Sequence, residues 1–256
     1  MGNEELFDLK GKVAIITGGG RGLGKQIAEA FADAGCHIVL CSRKIEACHE
    51  TVEQLKNKGV NALALSCDVT NKEDVDRTVE AAINQFEKVD ILVNNSGTTW
   101  GAPVEDMPEE AWNKVMNVNV KGTFLMSQKV GQHMIPRKTG KIINISSVAG
   151  IKAEPSEVLN AIGYSTSKAA VIHMTKDLAM KWAQYGINVN SIAPGFFQTK
   201  MTNKVLEERG EKVASHIPLG RIGDDTMLKG AALFLASKAS DFVTGHILTV
   251  DGGAHL

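Results

Sequence analysis

Neither charge nor hydrophobicity is concentrated anywhere in this 256-residue chain. Lys and Arg number 28 against 29 Asp and Glu, and no run of like charge stands out, which argues against a nucleic-acid or membrane-surface partner. No apolar run approaches the ~18 residues of a membrane span. The stretch from Met1 to Lys10 lacks the basic end and apolar run of a signal peptide, so a cytoplasmic protein is expected. The four cysteines, Cys36, Cys41, Cys48 and Cys67, include no C-x-x-C pair and read as reduced, mostly buried thiols. The seven histidines show no metal-ligand spacing, and no metal is expected. Internal repeats and low-complexity tracts are missing as well. At this length, one sizeable core and one domain spanning 1–256 are expected.

What is present is an alternation of two periodicities. The β-branched run Val13-Ala14-Ile15-Ile16 predicts a strand over 12–17. A glycine cluster follows, then helical spacing from Lys25 to Ala34, which Gly35 stops. Further strands are predicted at 37–41, 61–66, 89–93, 141–146, 187–192 and 247–250, with helices at 45–58, 72–86, 109–133, 163–185 and 225–236. Strands alternating with helices predict an α/β fold, a Rossmann-type doubly wound parallel sheet of about seven strands with helices on both faces. The pattern loosens from Ala193 to Gly223, with one short amphipathic piece at 202–209. Such an insertion beside a sheet suits a lid over a site, here at about 194–223.

Five glycines crowd the seven residues from Gly18 to Gly24, directly after the first strand. The spacing is G-x-x-x-G-x-G at Gly18, Gly22 and Gly24, with Gly20, Arg21 and Leu23 between. Glycine permits positive φ and removes side chains where a pyrophosphate must approach backbone N–H groups at a helix N-terminus. A turn without a ligand would lose stability for no packing gain. An NAD-selecting acid is expected about 20 residues further on, at the end of the second strand. That place holds Cys41-Ser42-Arg43-Lys44 instead. Arg21 and Arg43 suit the oxygens of a 2′-phosphate, so NADP(H) is favoured over NAD(H).

Tyr164 and Lys168 stand four residues apart on a predicted helix, with both heads on one face. A cation about 4 Å from a phenol stabilises the phenolate by roughly 4 kcal/mol at an effective dielectric of about 20, which pulls the tyrosine pKa down towards neutrality. Such a tyrosine can act as acid or base. The same spacing also fits a plain surface pair.

Taken together, these residues resemble the short-chain dehydrogenase/reductase family along essentially the whole chain. Thr17 to Gly24 looks like the family's cofactor turn, Asp68-Val69 like its adenine contact, and Asn94-Asn95-Ser96-Gly97 like its N-N-A-G motif with Ser for Ala. Asn119 looks like the catalytic asparagine, Ser147 like the catalytic serine, and Tyr164 with Lys168 like the Y-x-x-x-K pair. Pro194-Gly195, with Phe197 and Thr199 after it, resembles the segment that meets the nicotinamide carboxamide. The resemblance implies hydride transfer between the nicotinamide and a carbonyl or secondary alcohol. In that scheme Tyr164 exchanges the proton, Lys168 lowers its pKa and binds the ribose, Ser147 bonds the substrate oxygen, and Asn119 holds a water leading to solvent. It also implies a homotetramer, with helices 109–133 and 163–185 pairing across one two-fold axis. On the residues alone, Asn119 also fits a helix-kink asparagine bonded to backbone, and Ser147 a strand-end turn.

Ser147 and Tyr164 are seventeen positions apart, a few more than is common in the family. The extra length lies within 150–162 and should shape specificity rather than chemistry. Phe7 to Gly11 and Pro194 to Met201 most resemble reductases of gluconate-type sugar acids, with Lys200 as a carboxylate partner and Thr98, Thr99 and Trp100 as hydroxyls and a flat wall. Phe196, Phe197 and Met201 suit an acyl or ring ketone instead, in which case Lys200 points to water. A carrier-protein-bound 3-oxoacyl reductase would need a basic patch near the site, for which Arg137, Lys138 and Lys141 are candidates. A cofactor-binding sensor or scaffold without turnover is the remaining alternative.

Overall fold

The computed structural model describes residues 2–199 and 202–256. Its strands are β1 (Val13–Thr17), β2 (His37–Ser42), β3 (Ala62–Ser66), β4 (Ile91–Asn94), β5 (Gly140–Ile145), β6 (Ile187–Pro194) and β7 (Ile247–Val250). They pair in parallel in the order β3-β2-β1-β4-β5-β6-β7. The helices are α1 (Asn3–Phe7), α2 (Gly22–Asp33), α3 (Glu46–Lys56), α4 (Lys72–Phe86), α5 (Glu109–Met116), α6 (Gly122–Arg137), α7 (Ile162–Trp182), α8 (Asn203–Ser215) and α9 (Met227–Ala236). The expected seven-stranded, doubly wound sheet is present.

Every residue of β1 is buried, because both faces of the sheet are covered. Side chains alternate across a strand. Ala14 and Ile16 therefore pack with Ile27, Phe31 and Leu235 on one face. Ile15 packs with Val79, Met126 and Met134 on the other. Each such fully buried large side chain contributes about 1.5–3 kcal/mol. All four cysteines are free and buried. The strand order reverses between β1 and β4, which opens a crevice beyond their carboxyl ends.

Several elements depart from the expected boundaries, α2 among them, which starts at Gly22 rather than Lys25. The predicted helix 109–133 is two helices joined by a π-helical segment, Asn117–Lys121; the wide turn leaves the apolar spacing nearly unchanged, so periodicity does not reveal it. The piece expected at 202–209 is the longer α8. The predicted start of the last helix moves from Asp225 to Met227, because the Asp224 carboxylate accepts from the Thr226 N–H over 2.8 Å and holds a turn there. Among the described residues, no helix is long and apolar enough to cross a membrane.

Candidate active site

The glycine turn is built by the ends of two strands. The Thr17 hydroxyl accepts from the N–H groups of Asn95 (3.0 Å) and Ser96 (2.9 Å). The Asn95 amide donates back to the carbonyl oxygens of Thr17 and Gly18, at 3.0 and 3.1 Å. Gly18 and Gly22 adopt φ of +64° and +54°, a conformation that other residues enter only at a cost. A Cβ on Gly22 would project into the cleft, where the nearest described atoms belong to Thr199 at 3.7 and 3.8 Å. This is room for a phosphate at the start of α2. Gly20 and Gly24 do not line the cleft. A Cβ on Gly20 would stand 2.8 Å from the Ala47 backbone, and one on Gly24 2.6 Å from the Gly18 carbonyl oxygen, so these two glycines serve close packing of the turn.

The cleft encloses about 380 Å³. Its walls include Gly18, Arg21, Gly22 and Leu23 from the turn, Ser42 and Arg43 from the end of β2, and Asp68 and Val69 after β3. Asn95, Ser96 and Gly97 after β4, and Pro194, Gly195, Phe197 and Thr199 after β6, complete the expected set. Neither Arg21 nor Arg43 forms a salt bridge among the described residues, whereas Arg77 and Arg137 do. Burial pushes the Asp68 carboxyl up, but two bonds from Thr70 and the charges of Arg43 and Lys121 outweigh it and leave the pKa lowered. Cys67, Val118, Ile145, Ser146 and Thr202 also line the cleft and were not anticipated. Cys67, Ile145 and Ser146 sit at carboxyl ends of strands, a positional signal that was available. Val118 arrives through the π segment and Thr202 through the fold of the loop, neither of which shows in the sequence.

Tyr164, Lys168 and Ser147 meet at the inner end of the cleft. Ser147 stands in extended conformation at the start of a 3₁₀ turn, where its hydroxyl accepts from the Ala149 N–H over 3.2 Å, and it lines both cavities together with Tyr164. The Lys168 ammonium donates to the Ile145 carbonyl oxygen over 2.8 Å, and burial pushes its pKa down to about 8. Burial pushes the Tyr164 phenol up, and the nearby Ser147 hydroxyl offsets only part of that. The expected depression of Tyr164 by Lys168 is therefore not found in the chain by itself: desolvation wins, and the ammonium faces a carbonyl. Asn119 lies behind this set, outside the cleft wall. Its Oδ1 accepts from the Thr98 N–H (2.8 Å), and its Nδ2 donates to the Thr98 carbonyl oxygen (2.9 Å) and the Ser167 hydroxyl (2.8 Å). Two of these three bonds go to backbone, as the sequence also allowed for this residue.

A second cavity of about 590 Å³ adjoins the first and shares Ser147, Tyr164, Gly195 and Thr202 with it. Thr99 and Phe196 line it, as do several residues of the long segment between Ser147 and Tyr164. Thr98 meets Asn119 through its backbone N–H and carbonyl and lines neither cavity, and Trp100 is 45% exposed and outside the lining, so neither contributes to the expected wall. Lys200 and Met201 lie outside the described residues. The proposed basic patch is at the wrong end of the sheet: Arg137 pairs with Asp90 (2.9 Å) ahead of β4, and Lys141 with Asp241 (2.8 Å) near the start of β5. Parallel strands carry those positions away from the crevice. Among the described residues, no group of three or more His, Cys, Asp or Glu could hold a metal ion.

A parallel sheet with a glycine turn at its switch point, and a Ser-Tyr-Lys group where two cavities meet, defines a dinucleotide-dependent oxidoreductase. The family model described as enoyl-(acyl carrier protein) reductase matches residues 18–255. The chain is 41% identical over 251 residues to the 2-dehydro-3-deoxy-D-gluconate 5-dehydrogenase of Bacillus subtilis, covering 97% of this chain and 96% of that one. It is 39% identical over 251 residues to the 5-keto-D-gluconate 5-reductase of Escherichia coli, covering 97% of each. The solved structure of a gluconate 5-dehydrogenase from Burkholderia cenocepacia in complex with NADP and tartrate superposes with a TM-score of 0.93 at 37% identity, covering 99% of this chain and 98% of that one. The chain belongs to the short-chain dehydrogenase/reductase family. It is an NAD(P)-dependent oxidoreductase acting on CH–OH groups and the corresponding carbonyls.

Proposed function

We propose that this enzyme interconverts a keto group and a secondary alcohol on a gluconate-type sugar acid, using NADP(H) in preference to NAD(H). The observation that carries this reading is the junction of the cofactor cleft with a second cavity at Ser147 and Tyr164, where Thr99, Ser156 and Asn160 add polar groups to the second cavity's wall. The names of the relatives support the substrate class. Arg21 and Arg43, which form no salt bridge among the described residues, and Ser42 in place of an acid support the 2′-phosphate.

When bound, the nicotinamide supplies or takes the hydride. Tyr164 gives its phenolic proton to the carbonyl oxygen in reduction and recovers it in oxidation; its raised pKa keeps that proton available at neutral pH. Ser147 donates a hydrogen bond to the same oxygen, worth on the order of 2 to 4 kcal/mol as negative charge develops. Lys168 holds the cofactor ribose, and its charge favours the phenolate during transfer. Asn119 positions the Thr98 backbone and the Ser167 hydroxyl beside Lys168 and keeps open the path by which water returns protons. Residues 194–223 act as the lid.

The protein works in the cytoplasm as a homotetramer, without nucleic-acid or membrane partners. Phe124 of α6 and Met180 of α7 are 44% and 82% exposed, apolar positions that a second subunit would cover. Light scattering at micromolar concentration should give the tetramer mass, and a monomer mass refutes the assembly. The substrate test is NADPH oxidation with 5-ketogluconate, an acetoacetyl thioester and a cyclic ketone. Turnover of the sugar acid supports the reading. Turnover of the thioester alone favours the acyl reading, to which Val148, Val158, Leu159 and Phe196 on the cavity wall lend themselves.

A further inference from the structure

The segment between Ser147 and Tyr164 is held at both ends. The Lys152 N–H donates to the Val148 carbonyl oxygen over 3.0 Å, and the N–H groups of Val158 and Leu159 converge on the Pro155 carbonyl oxygen at 2.9 and 3.0 Å. At the far end, the Asn160 carbonyl oxygen accepts from the Ala102 N–H of the loop after β4 (3.0 Å). Suspended between these anchors, Glu154 lines the second cavity. Its side chain is only 13% exposed, and Oε1 lies 3.4 Å from the Lys152 ammonium.

A carboxylate offers about four acceptor sites, and this ion pair is the single polar contact of the Glu154 side chain among the described residues. The remaining acceptor capacity sits on the wall of the cavity that Tyr164 and Ser147 close. An acyl chain entering there would strip water from a carboxylate and return nothing, which is costly. A substrate carboxylate placed there would be repelled. Hydroxyl groups would complete the hydrogen-bond shell.

We propose that Glu154 is a specificity-determining residue: it accepts hydrogen bonds from hydroxyls of a polyhydroxylated substrate and turns any carboxylate of that substrate to the opposite end of the cavity. The inference deepens the sugar-acid reading above and rests on it for the anionic substrate.

The test is steady-state kinetics of the full chain with NADPH on 5-ketogluconate, on fructose as a neutral polyhydroxylated ketone, and on cyclohexanone. Glu154→Leu should lower the ratio of kcat/KM for the hydroxylated ketone over cyclohexanone by roughly tenfold or more, mainly through KM, with Glu154→Gln between it and wild type. The NADPH dissociation constant of each variant reports whether the fold is intact. If the leucine variant fails that check, the glutamine variant decides. An unmoved ratio with 5-ketogluconate still turned over overturns the role of Glu154 and leaves the sugar-acid reading standing. Turnover of fructose but not 5-ketogluconate, with the ratio falling, retains Glu154 and removes the sugar acid. Activity on cyclohexanone alone overturns both.

Discussion

The Lys168 ammonium lies 5.6 Å from the centre of the Tyr164 ring but points to the carbonyl oxygen of Ile145, 2.8 Å away. The pair is on one helix face, yet the group that lowers the phenol's pKa is Ser147 and not Lys168. This geometry is the basis for giving Tyr164 the proton-transfer step, and Lys168 the cofactor and the local charge, in the proposed function. Tyr164→Phe should remove nearly all turnover while the NADPH dissociation constant stays within about threefold of wild type, since the hydroxyl enters only at proton transfer. A variant retaining about a tenth of the wild-type rate would place the acid elsewhere.

Burial holds the Lys168 pKa down to about 8, so the unfolded chain binds this proton more readily than the native one. Between about pH 8 and the ordinary lysine range the native state therefore gains stability as pH rises, the reverse of a lysine that has found an acidic partner. Urea midpoints measured for the wild type at about pH 7.5 and about pH 9.5 should show this gain relative to Lys168→Met, which has no ammonium to titrate there. Equal changes in the two proteins would refute the assignment.

Arg43 lines the cofactor cleft beside Ser42, and its charge helps to lower Asp68. Arg43→Asp replaces a fork for phosphate with an acceptor for a ribose hydroxyl. The ratio of NADH to NADPH dissociation constants should fall by roughly tenfold or more. Fluorescence titration of both cofactors reads it, and a wild type that binds NADH as tightly as NADPH contradicts the preference.

Asn119 makes three side-chain hydrogen bonds from the π segment and is 1% exposed. Asn119→Leu leaves the half-buried Thr98 N–H and carbonyl without this partner, at about 1–2 kcal/mol for each group. Unfolding in urea should show a stability loss of about 2–4 kcal/mol together with reduced turnover. Lost turnover at unchanged stability would mean that the asparagine acts only through water.

The parts that depend on neighbouring residues were legible in the sequence. Alternating periods of about two and about 3.6 residues mark strands and helices, and seven such strands are found in a parallel sheet. Positive φ at Gly18 and Gly22 follows from a turn that must bring backbone N–H groups to a phosphate. The cleft residues at strand ends follow from the switch point of the sheet. The rest required the tertiary structure. Whether a phenol rises or falls in pKa depends on how much water the whole fold removes and where a neighbouring cation points, so four-residue spacing favoured the depression and burial produced the opposite. Arg137 and Lys141 are near the site residues in the chain but a strand length away in space, because every parallel strand runs from that end towards the crevice. Glu154 reaches the cavity wall only because hydrogen bonds from residues on both sides tie down the segment that carries it. Sequence patterns report local backbone preference, whereas desolvation and proximity across the fold are set by many residues at once, and in this enzyme they set the pKa directions of Tyr164 and Lys168 and the lining of both cavities.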